Sequence, residues 1–111
     1  MGKGGANVLD RVFRALASAR RREILRLAAR EKCTVTQFAA QLKMSQPAVS
    51  KHVRVLVDSA LLSKNREGRF RWCQLRRSAL KTALESIEKL CCATTRSQRR
   101  KATRRLDEGQ Q

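Results

Sequence analysis

With 111 residues, 41% of them hydrophobic and only four aromatic, the chain has room for one domain whose core must be built mainly from Leu, Val, Ile and Ala, a composition that favours helices. Its 26 Lys and Arg against 9 Asp and Glu give a formal net charge of +17, a self-repulsion that points first to a nucleic-acid partner. No apolar run reaches the length of a membrane span, the basic segments lack the bulky apolar face of a membrane-surface helix, and the first seven residues hold no secretion core, so a cytoplasmic protein without membrane attachment is expected.

Residues 1–7, rich in glycine, are expected to be disordered. From Val8 to Ala17, the residues Leu9, Val12, Phe13 and Leu16 recur at three- and four-residue steps, which places them along one face of a first helix. After a break near Ser18, Arg20 to Arg30 carries Ile24, Leu25, Leu27 and Ala28 as a second apolar stripe, with the arginines outward. Thr34 and Gln37 have the spacing of a capping box, in which two side chains satisfy backbone amides at a helix start, and they open a short third helix carrying Phe38, Ala39 and Leu42. Ser45 is the natural N-cap of a fourth helix, with Pro47 in its first turn and an end near Ser59. Leu61 to Leu75 reads as a two-stranded hairpin turning around Asn65 to Gly68, with Phe70 and Trp72 expected to pack it onto the domain. A fifth helix, about Ser78 to Ala93, aligns Leu80, Leu84, Ile87 and Leu90 or Cys91. Residues 94–111, arginine-rich with one Leu, are expected to form a basic mobile tail, leaving residues 8–93 as the folded domain.

Charge follows the same division. Residues 43–77 hold nine basic and two acidic side chains, whereas residues 78–93 hold two of each. A surface that meets DNA keeps its positive charge, and one that meets a copy of itself cannot be strongly basic, so the fifth helix is expected to face protein.

The third and fourth helices are short and tightly joined, as in a helix-turn-helix that lays its second helix in a major groove. On a helical wheel Val49, Val53 and Leu56 share one side of the fourth helix, while Gln46, Pro47, Ser50, Lys51 and Arg54 fall opposite, with Ser45 at the start. Gln46 suits an adenine edge, Ser50 a base or a phosphate, and Lys51 and Arg54 suit phosphates. In the hairpin, Arg66, Arg69 and Arg71 surround Gly68 and suit the minor groove or its phosphates. Plain solvation is the bland alternative for both sets, and the helix-turn-helix setting together with the net charge weighs against it.

The run Ser45-Gln46-Pro47-Ala48-Val49-Ser50-Lys51-His52-Val53-Arg54-Val55-Leu56, followed by Arg66-Glu67-Gly68-Arg69, resembles the recognition helix and wing of ArsR-type (ArsR/SmtB) repressors. Val12 to Ala17 and Arg21 to Leu25 are similar to the first two helices of that family, so the likeness spans about Val8 to Leu90. It implies a mainly α winged helix-turn-helix, four helices, a β-hairpin and a fifth helix, paired as a homodimer through its first and fifth helices. Leu9, Val12, Phe13, Leu80, Leu84, Ile87 and Cys91 would then lie at the seam, and two recognition helices would face a near-palindromic operator in double-stranded DNA. Gln46, Ser50 and His52 match family positions at or near DNA. His52 also lies beside the anchoring stripe, where a structural hydrogen bond and a phosphate contact are both open to it. One departure is Ala60, where the family usually has Gly to end the fourth helix; a left-handed residue there costs Ala about 1 kcal/mol.

The four cysteines are expected to be reduced thiols. The cysteine pair of arsenic-sensing relatives would fall on Thr34 and Thr36, and the fifth helix has no His for a zinc-type site, its Glu85 and Glu88 lying among Lys81 and Lys89. No cofactor is therefore expected. Cys91 and Cys92, joined by Cys33 or by a partner chain, form a candidate site for a thiophilic metalloid, against the plainer reading in which Cys91 fills core space and Cys92 is idle. Cys73 reads as a packing residue. One His and scattered carboxylates supply no acid-base pair or nucleophile triad, so no enzyme is expected. Three functions remain: a sequence-specific dimeric repressor with no effector, regulated by its own abundance, the same repressor with a thiol-based metalloid or redox sensor, and a nonspecific architectural DNA binder that relies on its basic tail.

Overall fold

A computed structural model describes residues 5–92 and contains five helices and one hairpin in the expected order. The first four helices are α1 (Gly5–Leu16), α2 (Ala19–Arg30), α3 (Val35–Leu42) and α4 (Gln46–Asp58). They are followed by β1 (Leu62–Glu67), β2 (Phe70–Leu75) and α5 (Arg77–Cys91). Helix α1 begins at Gly5, three residues before the expected Val8. The expectations for residues 1–4 and 93–111, including the whole basic tail, lie outside the described residues.

Local capping chemistry sets most of the boundaries. Ser18 Oγ accepts the Arg21 amide at 3.3 Å and starts α2. The Thr34 box closes in both directions, with the Gln37 amide donating to Thr34 Oγ1 at 3.2 Å and the Thr34 amide to Gln37 Oε1 at 3.0 Å. Ser45 Oγ accepts the Ala48 amide at 3.3 Å, with Pro47 in the first turn of α4. Between α3 and α4 the chain reverses through Lys43, which is left-handed at φ 55°.

The end of α4 is a Schellman motif. The Ala60 amide donates to Val57 O at 3.0 Å and the Leu61 amide to Leu56 O at 2.9 Å, and both leucines are fully buried. Closing it puts Ala60 at φ 62°, the left-handed conformation anticipated at this non-glycine position.

The hairpin pairs Leu62 with Leu75 through to Glu67 with Phe70, and Gly68 at φ 61° makes the turn. Its outer edge is extended by one residue, since Cys33 and Cys73 exchange backbone hydrogen bonds of 3.0 and 2.7 Å. One core joins all elements: Val12 and Ala15 from α1, Ile24, Leu25 and Ala28 from α2, Phe38 from α3, Val49, Val53 and Leu56 from α4, Leu61, Leu62 and Cys73 from the hairpin, and Ala83 from α5. The core face of β2 is thus held by Cys73, while Phe70 and Trp72 alternate to the other face.

Candidate nucleic-acid interface

The anchoring stripe of α4 is complete. Val49, Val53 and Leu56 are each 0% exposed, and Ser45, Gln46, Pro47, Ser50, Lys51 and Arg54 are all exposed on the other side. Because three apolar side chains at helical spacing are spent inward, the polar set has no choice but to face out. Ser45 spends one hydroxyl lone pair on the helix cap, which leaves its O–H donor and a second lone pair for a ligand.

His52 stands at the border of the two faces, half-buried, with Nδ1 3.5 Å from Nη1 of Arg21. Burial, followed by the positive charges of Arg21 and Arg20, holds its pKa below the ordinary imidazole value. The neutral ring with Nδ1 as acceptor carries its proton on Nε2.

In the wing, Arg66, Arg69 and Arg71 are all exposed. Arg66 and Arg71 are direct cross-strand partners, a like-charge pair that weakens the hairpin unless an anion lies across it. An open cleft of about 580 Å³ separates the wing from the helix-turn-helix; among its lining residues are Thr36, Ser50, Lys64, Arg69, Phe70 and Arg71. No carboxylate lines it, and the first turn of α3, the positive end of that helix, forms one wall. Sequence reasoning did not connect Thr36 or Lys64 with this surface. The alternation of the strand would have found Lys64, which shares a face with Arg66, but Thr36 is brought there only by the tertiary fold.

Two expectations about packing need correction. Phe70, expected to fasten the wing to the body, is 57% exposed near the wing tip, its ring centroid 5.8 Å from that of Trp72. Anchoring falls instead to Trp72, half-buried with Lys32 Nζ 5.0 Å over its ring, and to the Lys32–Glu67 ion pair at 3.0 Å. Val12, expected at a subunit seam, is 1% exposed inside the core of its own chain.

Of the other seam candidates, Leu9 and Leu80 are half-buried against the core, while Phe13, Leu84, Ile87 and Cys91 are exposed. With Val8 and with Leu90, which is 76% exposed, they lie on α1 and α5, two helices that pack together. Large apolar side chains are concentrated there, and past Arg77 the basic and acidic side chains of α5 balance.

The thiols divide into two pairs. Cys91 and Cys92 are exposed. Cys33 and Cys73 are buried against one another; burial raises both pKa values, with Glu31 adding to the rise at Cys33 and Lys64 opposing it at Cys73. Cys33, considered as a third sulfur beside Cys91 and Cys92, is thus committed to the hairpin. Among the described residues no group of three or more His, Cys, Asp or Glu is placed to hold a metal ion, and no helix is long and apolar enough to cross a membrane.

Residues 18–64, from the cap of α2 into β1, match the family model described as "Bacterial regulatory protein, arsR family". The chain is similar to the transcriptional repressor SdpR of Bacillus subtilis (strain 168), 28% identical over 76 residues covering 68% of this chain and 84% of that protein. It is also similar to an arsenical resistance operon repressor of Staphylococcus aureus, 29% identical over 79 residues, or 71% and 76% of the two chains. Among solved structures, an ArsR-like transcriptional regulator from Rhodococcus sp. RHA1 superposes with a TM-score of 0.75 at 26% identity, covering 90% of this chain and 92% of that one. A buried stripe under an outward polar helix, a basic wing and these relationships together make the chain similar, in sequence and in fold, to winged helix-turn-helix transcriptional regulators of the ArsR family.

Proposed function

We propose that this regulator is a cytoplasmic homodimeric repressor that binds a near-palindromic operator in double-stranded DNA. One observation carries the reading: α4 buries Val49, Val53 and Leu56 completely and presents Gln46, Ser50, Lys51 and Arg54 on the opposite side. A major groove admits an α-helix, and Arg69 and Arg71 of the wing line a carboxylate-free cleft together with Ser50 of that helix, which supports a wing that follows the adjoining backbone and minor groove. Repression is what the two curated relatives are named for. The exposed apolar side chains of α1 and α5 supply the face for a second copy, with Phe13, Leu84, Ile87 and Leu90 at its centre.

In this arrangement Gln46 reads base edges, Ser50 contacts a base or a phosphate, and Lys51 and Arg54 neutralise phosphates. Arg66, Arg69 and Arg71 hold the flank. The test is selection from a random duplex library followed by footprinting and sedimentation of the complex. A twofold-symmetric site, with half-sites about 10 base pairs apart and two protomers bound, is expected. Enrichment of no sequence, or a single protomer on each site, overturns the reading.

A second reading is favoured by the exposure of Cys91 and Cys92 at the end of α5, next to the proposed seam. Two thiols there can bind a thiophilic metalloid and couple it to the dimer. Release of operator by arsenite, with loss of two titratable thiols, supports it; operator binding that arsenite leaves untouched removes it.

A further inference from the structure

We infer that Arg21 is a positioning residue for DNA recognition, one guanidinium that fastens the C-terminal end of α1 to His52 of the recognition helix and so fixes how a dimer spaces its two α4 helices. The inference rests on the dimeric DNA-binding reading above and adds a residue whose side chain touches α1 and α4 but, in this reading, no DNA.

Three elements meet at this side chain. Arg21 sits in the first turn of α2, its amide held by the Ser18 cap. Its Nε donates to Ala15 O at 2.8 Å and its Nη2 to Arg14 O at 2.9 Å, two carbonyls in the last turn of α1, of which Arg14 O also accepts the Ala17 amide at 3.1 Å. A cation is favoured at that negative helix end. The third nitrogen, Nη1, reaches His52 Nδ1 at 3.5 Å, across 31 residues of sequence.

Among the described residues this is the only side-chain hydrogen bond from α4 to another element, since Ser45 and Ser59 bond within the helix and its caps. Apart from the backbone turns at its two ends, α4 is held by apolar packing, and hydrophobic contact is non-directional. Such packing leaves a helix more freedom to rock about its axis than a directional side-chain bond does. A planar guanidinium locked at two nitrogens by backbone carbonyls cannot follow such a motion without losing the third contact. Since α1 belongs to the proposed seam, the contact relates the seam to the reading head. Lys cannot substitute, because a single ammonium does not point in three fixed directions.

Arg22 is a built-in control. Its Nη1 donates to Leu16 O at 2.7 Å, which caps the same helix end, and among the described residues its side chain makes no hydrogen bond to α4. If the role of Arg21 were only to cap α1, the two arginines would behave alike.

The experiment uses the full chain, a selected operator, and versions of that operator with one base pair added to or removed from the centre. Wild type should lose affinity steeply on either spacing variant. Arg21→Gln should bind the best operator about tenfold more weakly, and its penalty for wrong spacing should shrink, with dimerisation unchanged. His52→Ala breaks the contact from the α4 side with the α1 cap intact, keeping the test available should Arg21→Gln fail to fold, and it should reduce the spacing penalty similarly. Arg22→Gln should keep the wild-type penalty. A folded Arg21→Gln or His52→Ala with a wild-type spacing penalty overturns the inference alone, as does an Arg22→Gln that loses it. Wild type that selects no spaced site at all overturns the parent reading, and this inference with it.

Discussion

Replacing Ala60 with glycine should make the protein more stable. The Schellman closure of α4 requires Ala60 at φ 62°, and its two hydrogen bonds bring Leu61 onto Leu56 inside the core. Holding a residue with a Cβ in the left-handed region costs about 1–2 kcal/mol. Glycine removes that strain but has more freedom to lose from the unfolded chain, an opposing contribution of about 0.4–1 kcal/mol. The difference leaves Ala60→Gly more stable by about 0.5–1 kcal/mol, or about 2–8 °C in Tm for a domain of this size. Urea and thermal unfolding at fixed protomer concentration measure it, and operator affinity should not change. Ala60→Val should move the opposite way, because a β-branched residue fits the left-handed region worse than alanine. A glycine variant no more stable than wild type, alongside a valine variant that is tolerated, would refute the argument that this helix end is strained.

Other outcomes follow from the thiols, the histidine and the tail. In the native protein Cys91 and Cys92 should react quickly with a thiol reagent, and Cys33 and Cys73 only at the rate of unfolding; four equally fast thiols would contradict the burial of the Cys33–Cys73 pair. Because burial, Arg21 and Arg20 lower the pKa of His52, the folded state binds its proton less tightly than the unfolded chain does. Its contribution to stability is therefore complete above the ordinary value near 6.5 and is lost as pH falls below it. Urea midpoints between pH 8 and 5 should decline on acidification in wild type and decline less in His52→Gln, and a wild-type midpoint that rises toward pH 5 contradicts the sign. Deleting residues 97–111, which include Arg99, Arg100, Lys101, Arg104 and Arg105, should flatten the salt dependence of DNA binding and leave operator choice intact; lost sequence preference would assign reading to the tail.

What could be read in advance is what is local. The caps at Thr34 and Ser45 are side chains bonding to amides within three residues, and the inward stripe of α4 needs only the helical period. The start of α1 at Gly5 was hidden because glycine is a poor helix former. Val12 at a seam is what the family resemblance implies, and periodicity could not correct it, because it shows that a face is apolar without saying whether its own chain or another covers it. Phe70 was misplaced for a related reason: β2 turns Cys73 to the core, and the alternation carries Phe70 to the other face near the tip, beyond reach of the body. Neither Cys33 against Cys73 nor Arg21 against His52 has any sequence signal, since each joins residues far apart in the chain that only the packed domain brings together.

The account stands most directly on the affinity of Gln46→Ala for its selected operator measured beside its affinity for random duplex DNA at the same salt concentration. If the exposed face of α4 reads base edges, the operator should be bound about 10- to 100-fold more weakly and random DNA nearly as well as before. Equal losses on both DNAs, or no loss on either, would show that this face does not read sequence.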